Sequence, residues 1–210
     1  MIKIIINVII AFLIFLGGCS SKVQEIDNWA KENIAPVTDS NHRYEIERLS
    51  VFPPKGEGWK SINYTESGSF AFTKGALSYK KGNRNMSVTL HPFQYRLNAG
   101  APDYSTTAKI TTKGGMRCIQ TNKITPATYT AGKILVADYL CEQPNQPKDF
   151  PPIEVIFHES TLPDVSFSNP DEILAPIWNS IRFKPVDRGT SLPYQNWKKK
   201  NAEMRARLQK

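Results

Sequence analysis

The side chains from which a reactive site could be built are few in this chain. They are the histidines His42, His91 and His158, the paired acids Glu45 and Glu47, and three cysteines. A zinc-protease helix needs two histidines one turn apart. His158-Glu159 has no second histidine and sits in a strand-like run, so a metal site would have to be assembled in space from distant residues. The nucleophile-elbow pattern Gly-x-Ser-x-Gly is absent. Ser78-Tyr79-Lys80-Lys81 fits Ser-x-x-Lys and Ser61-Ile62-Asn63 fits Ser-x-Asn. The Lys-Thr-Gly element that should accompany them is missing, the order is wrong, and Ser78 falls on a strand-like run. Gly56-Glu57-Gly58 and Lys113-Gly114-Gly115 lack the context of a phosphate-binding loop and read as turns in which glycine supplies positive φ. Glu45 and Glu47 share one face of a candidate edge strand, where such charges solubilise. These spacings predict no catalytic residue, no metal and no cofactor beyond a covalent lipid.

That lipid is implied by the amino-terminal residues. Lys3 precedes an apolar run from Ile4 to Leu16, broken only by Asn7 and ending in Leu16-Gly17-Gly18-Cys19-Ser20. The run is too short to span a bilayer comfortably. Leu16-Gly17-Gly18-Cys19 resembles the lipobox of bacterial lipoproteins. The resemblance implies that residues 1–18 are a removed signal peptide and that Cys19 is diacylated as a membrane anchor. Ser20, rather than Asp, after the cysteine resembles the signature of outer-membrane sorting in Gram-negative bacteria. The expected location is therefore the outer membrane, facing the periplasm.

If Cys19 carries lipid, Cys118 and Cys141 remain as a pair in an exported protein, where disulfides form and persist. A metal site is the rival reading, but two thiols alone are too few ligands. Charge is uneven. The formal net charge is +8, and removal of Lys3 with the signal leaves +7. Residues 185–210 hold seven basic residues against Asp187 and Glu203, a net +5, so the remainder is nearly neutral. Nucleic acid is not an expected partner, because an exported protein does not share its compartment.

Around these residues the elements can be read in order. Residues 19–41 form a lipidated tether with a short helix before Pro36, and Trp29 either docks on the domain or rests at the lipid interface. Residues 42–184 form the globular domain. Tyr44–Phe52 reads as an edge strand, and Trp59, Ile62 and Tyr64 follow a glycine turn. Phe70–Tyr79 and Met86–Tyr95 are strands joined by turn residues. Met86, Val88 and Leu90 alternate with Ser87, Thr89 and His91, the half-buried pattern. Residues 97–108 read as a loop. Strands resume at Cys118–Ile124, Lys133–Cys141 and Ile153–His158. If the first two pair antiparallel, the cysteines sit near the open end of the hairpin. Ser168-Asn169-Pro170-Asp171-Glu172 starts a helix whose apolar stripe is Ile173, Leu174, Ile177, Trp178 and Ile181. Strands followed by a packing helix predict an α+β fold: mostly antiparallel sheet, a packing C-terminal helix and one disulfide. The stretch Ile173–Phe183 resembles the closing helix and short strand of PsbP-like α/β/α sandwiches, over about a dozen residues and without a diagnostic motif.

Residues 185–210 form a basic extension with a helix over 194–210. Tyr194, Trp197, Asn201, Met204 and Leu208 are spaced 3, 4, 3 and 4, a two-heptad seam flanked by Lys198, Lys199, Lys200, Arg205 and Arg207. Three readings stay open. The helix docks on its own domain or frays. It lies on an anionic membrane with Trp197 at the interface. Or it binds a partner helix or an acidic envelope polymer. The expected function is that of a lipid-anchored, non-enzymatic accessory or interaction module of the envelope. The alternative is a small-molecule-binding periplasmic module, and an enzyme with a site assembled from scattered residues ranks third.

Overall fold

The computed structural model describes residues 28–64, 68–75, 84–93, 109–127, 132–143 and 151–208. Cys19, the expected signal segment and the Ser78-Tyr79-Lys80-Lys81 match lie outside them. The chain divides into two units, Met1–Ala35 and Pro36–Lys210. In the first unit a helical segment, α1, covers residues 28–33, with Trp29 41% exposed. A short strand, β1 (Ile34–Pro36), crosses the boundary.

Alternation of apolar and polar residues builds the second unit. Two short strands, β2 (Tyr44–Ile46) and β3 (Leu49–Val51), precede β4 (Trp59–Tyr64), β5 (Ser69–Lys74) and β6 (Asn85–His91). Next come β7 (Lys109–Lys113), β8 (Met116–Pro126), β9 (Lys133–Glu142) and β10 (Ile153–Thr161), then α2 (Pro170–Ser180), β11 (Arg182–Phe183) and α3 (Leu192–Leu208). In the large sheet β4, β5 and β6 form one antiparallel meander and β7 to β10 a second. The two join along a single seam, β6 against β10, in the order β4-β5-β6-β10-β9-β8-β7.

Register puts Phe72, Val88, Phe157 and Ala137 in one row across that seam, all fully buried. Burying each large side chain of this kind stabilises by about 1.5–3 kcal/mol. On this face lie α2 and the small sheet β11-β3-β2, which contribute Leu174, Ile177, Trp178, Leu49 and Val51 to the same core. The class is α+β, with a mostly antiparallel sheet and a packing C-terminal helix, as the patterning predicts.

Local chemistry fixes α2. Asn169 is its N-cap and accepts from the Asp171 N–H at 3.0 Å, and Pro170 opens the first turn. Asp171 Oδ1 then takes Lys113 Nζ at 2.8 Å and the Tyr139 hydroxyl at 3.0 Å, tying the helix start to β7 and β9. The Tyr139 ring meets Trp178 edge-on at 5.3 Å. Fully buried Glu159 on β10 is satisfied by Arg84 and by the Ser168 N–H.

Cys118 and Cys141 are partners in the β8–β9 register, with Cα atoms 4.0 Å apart, and form a disulfide inside the core.

Two elements differ from the sequence reading. Tyr44–Phe52 is not one strand, because Glu47 adopts φ +27 and the chain turns back as the β2–β3 hairpin. Glu45 and Glu47 therefore do not share a strand face. Glu45 pairs with Lys184, and Glu47 accepts from the Ser191 hydroxyl. Second, β7 is an additional strand. Its Lys-Ile-Thr-Thr-Lys sequence lies largely exposed on the sheet edge, so it carries little apolar signal.

A candidate binding site on the open face of the sheet

The face of the large sheet opposite α2 is polar and half-exposed. Each strand sends its alternate residues there: Ile62 and Tyr64 from β4, Ser69, Ala71 and Thr73 from β5, Ser87, Thr89 and His91 from β6. From across the seam come Glu154, Ile156 and His158 on β10 and Asp138 on β9. Two of the three histidines thus stand on one face although they are far apart in sequence. They do not converge. His91 is opposite Glu154 and His158 is opposite Ser87, which places the two histidines about 13 Å apart along the strands. No group of three or more potential metal ligands occurs among the described residues.

A cavity of about 240 Å³ opens on this face between β4, β5, β6 and β10. Its most buried lining residues are apolar, Ile62 and Ala71, both 5% exposed. Thr73, Ser87, Thr89 and His158 line it with hydroxyl and imidazole groups, and Tyr64 is 40% exposed. Apolar depth with polar surroundings is the arrangement of an anchor pocket.

Burial shifts His158, His91 and Asp138, on this face, toward their neutral forms. Burial lowers the pKa of His158. Burial also lowers that of His91, and Glu154 across the seam offsets it only in part, so the neutral imidazole is favoured at both positions. Asp138 is pushed up to about 7 by burial, reinforced by repulsion from Glu154. Its Oδ1 is buried and finds no hydrogen-bond partner among the described residues. The His91 Nδ1 and Ser69 Oγ lie 2.9 Å apart. Ser69, His91 and Glu154 follow one another on β5, β6 and β10, the residue types used in acyl transfer. Ser69 is only 6% exposed, however, so its hydroxyl is shielded from a substrate and serves as a strand-to-strand hydrogen bond.

The structure distributes the residues singled out from sequence. Cys118 and Cys141 are joined, and Cys19 lies outside the described residues. Trp197 does not face outward. With Tyr194 it packs on Phe93 and Val186, and it is 7% exposed. Lys198, Lys199, Lys200 and Arg207 are exposed and Met204 is half-buried. The side chains of Arg205 and Leu208 lie outside the description. Of the three readings for the extension, docking on its own domain describes Tyr194 and Trp197.

No protein-family model matches the chain, and no curated protein matches it in sequence. Among solved structures, a crystal structure from Bacteroides thetaiotaomicron VPI-5482 is similar over 70% of this chain, at 10% identity and a TM-score of 0.42. The chain covers 50% of the length of that one.

The open face was missed in the sequence because its members come from two meanders joined at a seam between distant residues. The available signal was the polar half of the alternation, Ser87-x-Thr89-x-His91 and Glu154-x-Ile156-x-His158, two strand faces that both carry a histidine.

Proposed function

We propose that this chain is a lipid-anchored module of the cell envelope, held through Cys19, that acts by binding another envelope protein through the open face of its sheet and carries out no chemistry of its own. The lipobox-like residues support the anchor, and the buried Cys118–Cys141 bond supports an oxidising compartment. The cavity floored by Ile62 and Ala71 carries the binding reading. At about 240 Å³ it falls below the roughly 300–1,000 Å³ usual for pockets that enclose a whole ligand. It suits one side chain inserted by a partner, with Tyr64 beside it as an aromatic contact. Neutral His158 and the surrounding hydroxyls exchange hydrogen bonds with such a partner without the cost of burying a charge.

The test is in-cell photo-crosslinking with a crosslinkable residue at Thr89, compared with one at Lys199 on α3, alongside palmitate labelling of the wild type and Cys19→Ser. A discrete protein adduct from Thr89, together with label lost in Cys19→Ser, is the expected result. Adducts from Lys199 alone would move the binding surface to the extension. A small-molecule adduct at Thr89 would instead favour the ligand-binding alternative.

A further inference from the structure

The α3 helix has five basic residues against Glu203 alone. It is also held firmly at its start. The Asp187 carboxylate accepts from the Gly189 N–H at 2.9 Å and the Thr190 hydroxyl at 2.7 Å, and its backbone carbonyl accepts from the Ser191 N–H at 2.9 Å. Ser191 Oγ then accepts from the Tyr194 N–H at 3.2 Å and donates to Glu47. The aromatic side chains of the helix are spent on its own domain, Tyr194 at 6% and Trp197 at 7% exposure. Leu192, at the first position, is the one large apolar residue of α3 that stands clearly exposed among the described residues. The exposed charges of the helix are Lys198, Lys199, Lys200 and Arg207 against Glu203.

We infer that α3 is a preset basic face that docks on the anionic phospholipid headgroups of the bilayer to which the chain is tethered, by electrostatic attraction and without insertion. A helix that inserts needs an apolar face turned to the lipid, and here that face is occupied by Phe93 and Val186. Contact must therefore come from charge, worth about a fivefold change in association per basic residue near an anionic surface. A weak attraction of this kind is enough for a tethered chain, because an anchor makes docking effectively intramolecular. The inference rests on the anchored reading for its setting, but not for its measurement.

The experiment uses the full chain as isolated from cells, with a fluorophore at Ala202→Cys on exposed α3, mixed with vesicles that carry a headgroup quencher. One set is phosphatidylcholine alone and the other an equimolar mixture with phosphatidylglycerol. Flotation in both sets reports the anchor separately, since failure to float would refute the anchor while quenching still scores the helix. Quenching is expected only with phosphatidylglycerol and is expected to vanish near ~0.5 M salt. Lys198→Gln, Lys199→Gln and Arg207→Gln together should shift the docked-to-undocked ratio by roughly 100-fold. Equal quenching in both vesicle sets, quenching that survives salt, or indifference to the triple substitution would each overturn the inference.

Discussion

Pro193 stands directly over Gly68. A Cβ built on Gly68 would come within 2.8 Å of both Cβ and Cγ of Pro193, and Gly68 holds φ +64. Two constraints meet at one residue: a left-handed backbone and no room for a methyl group. Gly68→Ala should cost about 1–3 kcal/mol and push the start of α3 away from the domain. Limited trypsin digestion followed by mass spectrometry should then show faster cleavage after Lys198 and Lys199, with the sheet intact by circular dichroism. An unchanged cleavage rate would mean that the helix is held elsewhere.

The disulfide closes a sequence separation of 23 residues. Replacing both Cys118 and Cys141 with alanine should destabilise the fold by about 3 kcal/mol in the chain-entropy picture. For a unit of this size that is a fall in Tm of roughly 10 °C. Reductant should lower the wild-type Tm by a comparable amount and leave the double variant unmoved.

Burial raises the Asp171 carboxyl, but hydrogen bonds from Lys113 and Tyr139 and the charges of Lys113 and Lys109 outweigh it, holding its pKa below the ordinary 3.8. A depressed carboxylate contributes stability that is complete above the unfolded value and fades as pH falls through the folded one. Asp171→Asn should therefore be less stable than wild type at neutral pH. The gap should close on acidification below about pH 4. Urea midpoints across an acid series measure it, and a constant gap would show that charge is not the cause.

Asp138 behaves in the opposite sense. Its pKa is raised from 3.8 to about 7, so the unfolded chain releases this proton at a lower pH than the folded one. Its contribution to stability is complete below the unfolded value and is lost as pH rises toward 7 and beyond. Asp138→Asn should be at least as stable as wild type near about pH 8, and should lose that advantage toward about pH 4. Chemical-shift titration of the Asp138 carboxyl carbon gives the value directly, and a midpoint in the ordinary carboxylate range would refute the shift.

Legibility in the sequence followed the range of the interactions. The β6 alternation from Met86 to His91, the Asn169 cap with Pro170 and Asp171, and the cysteine hairpin are all local, and each could be read from neighbouring residues. The β2–β3 turn was unreadable because its unusual backbone falls on Glu47, where neither glycine nor asparagine marks it. The α3 seam was legible as a period, but a period does not say which surface fills it, and Phe93 lies about a hundred residues away. The open face depends on the pairing of His91 with Glu154, which no local pattern encodes.

That pairing also sets an order of assembly. Every hydrogen-bonded strand pair within the two meanders joins strands consecutive in the chain, and β6 with β10, which joins the meanders, is the most distant closure of the large sheet among the described residues. Short loops close early and distant ones late. The cysteine hairpin, whose strands are neighbours in the chain, can be stapled before β10 pairs with β6. Until β10 docks, both the open face and the buried row beneath it stand exposed along two raw strand edges, a window in which the half-built sheet is open to mispairing.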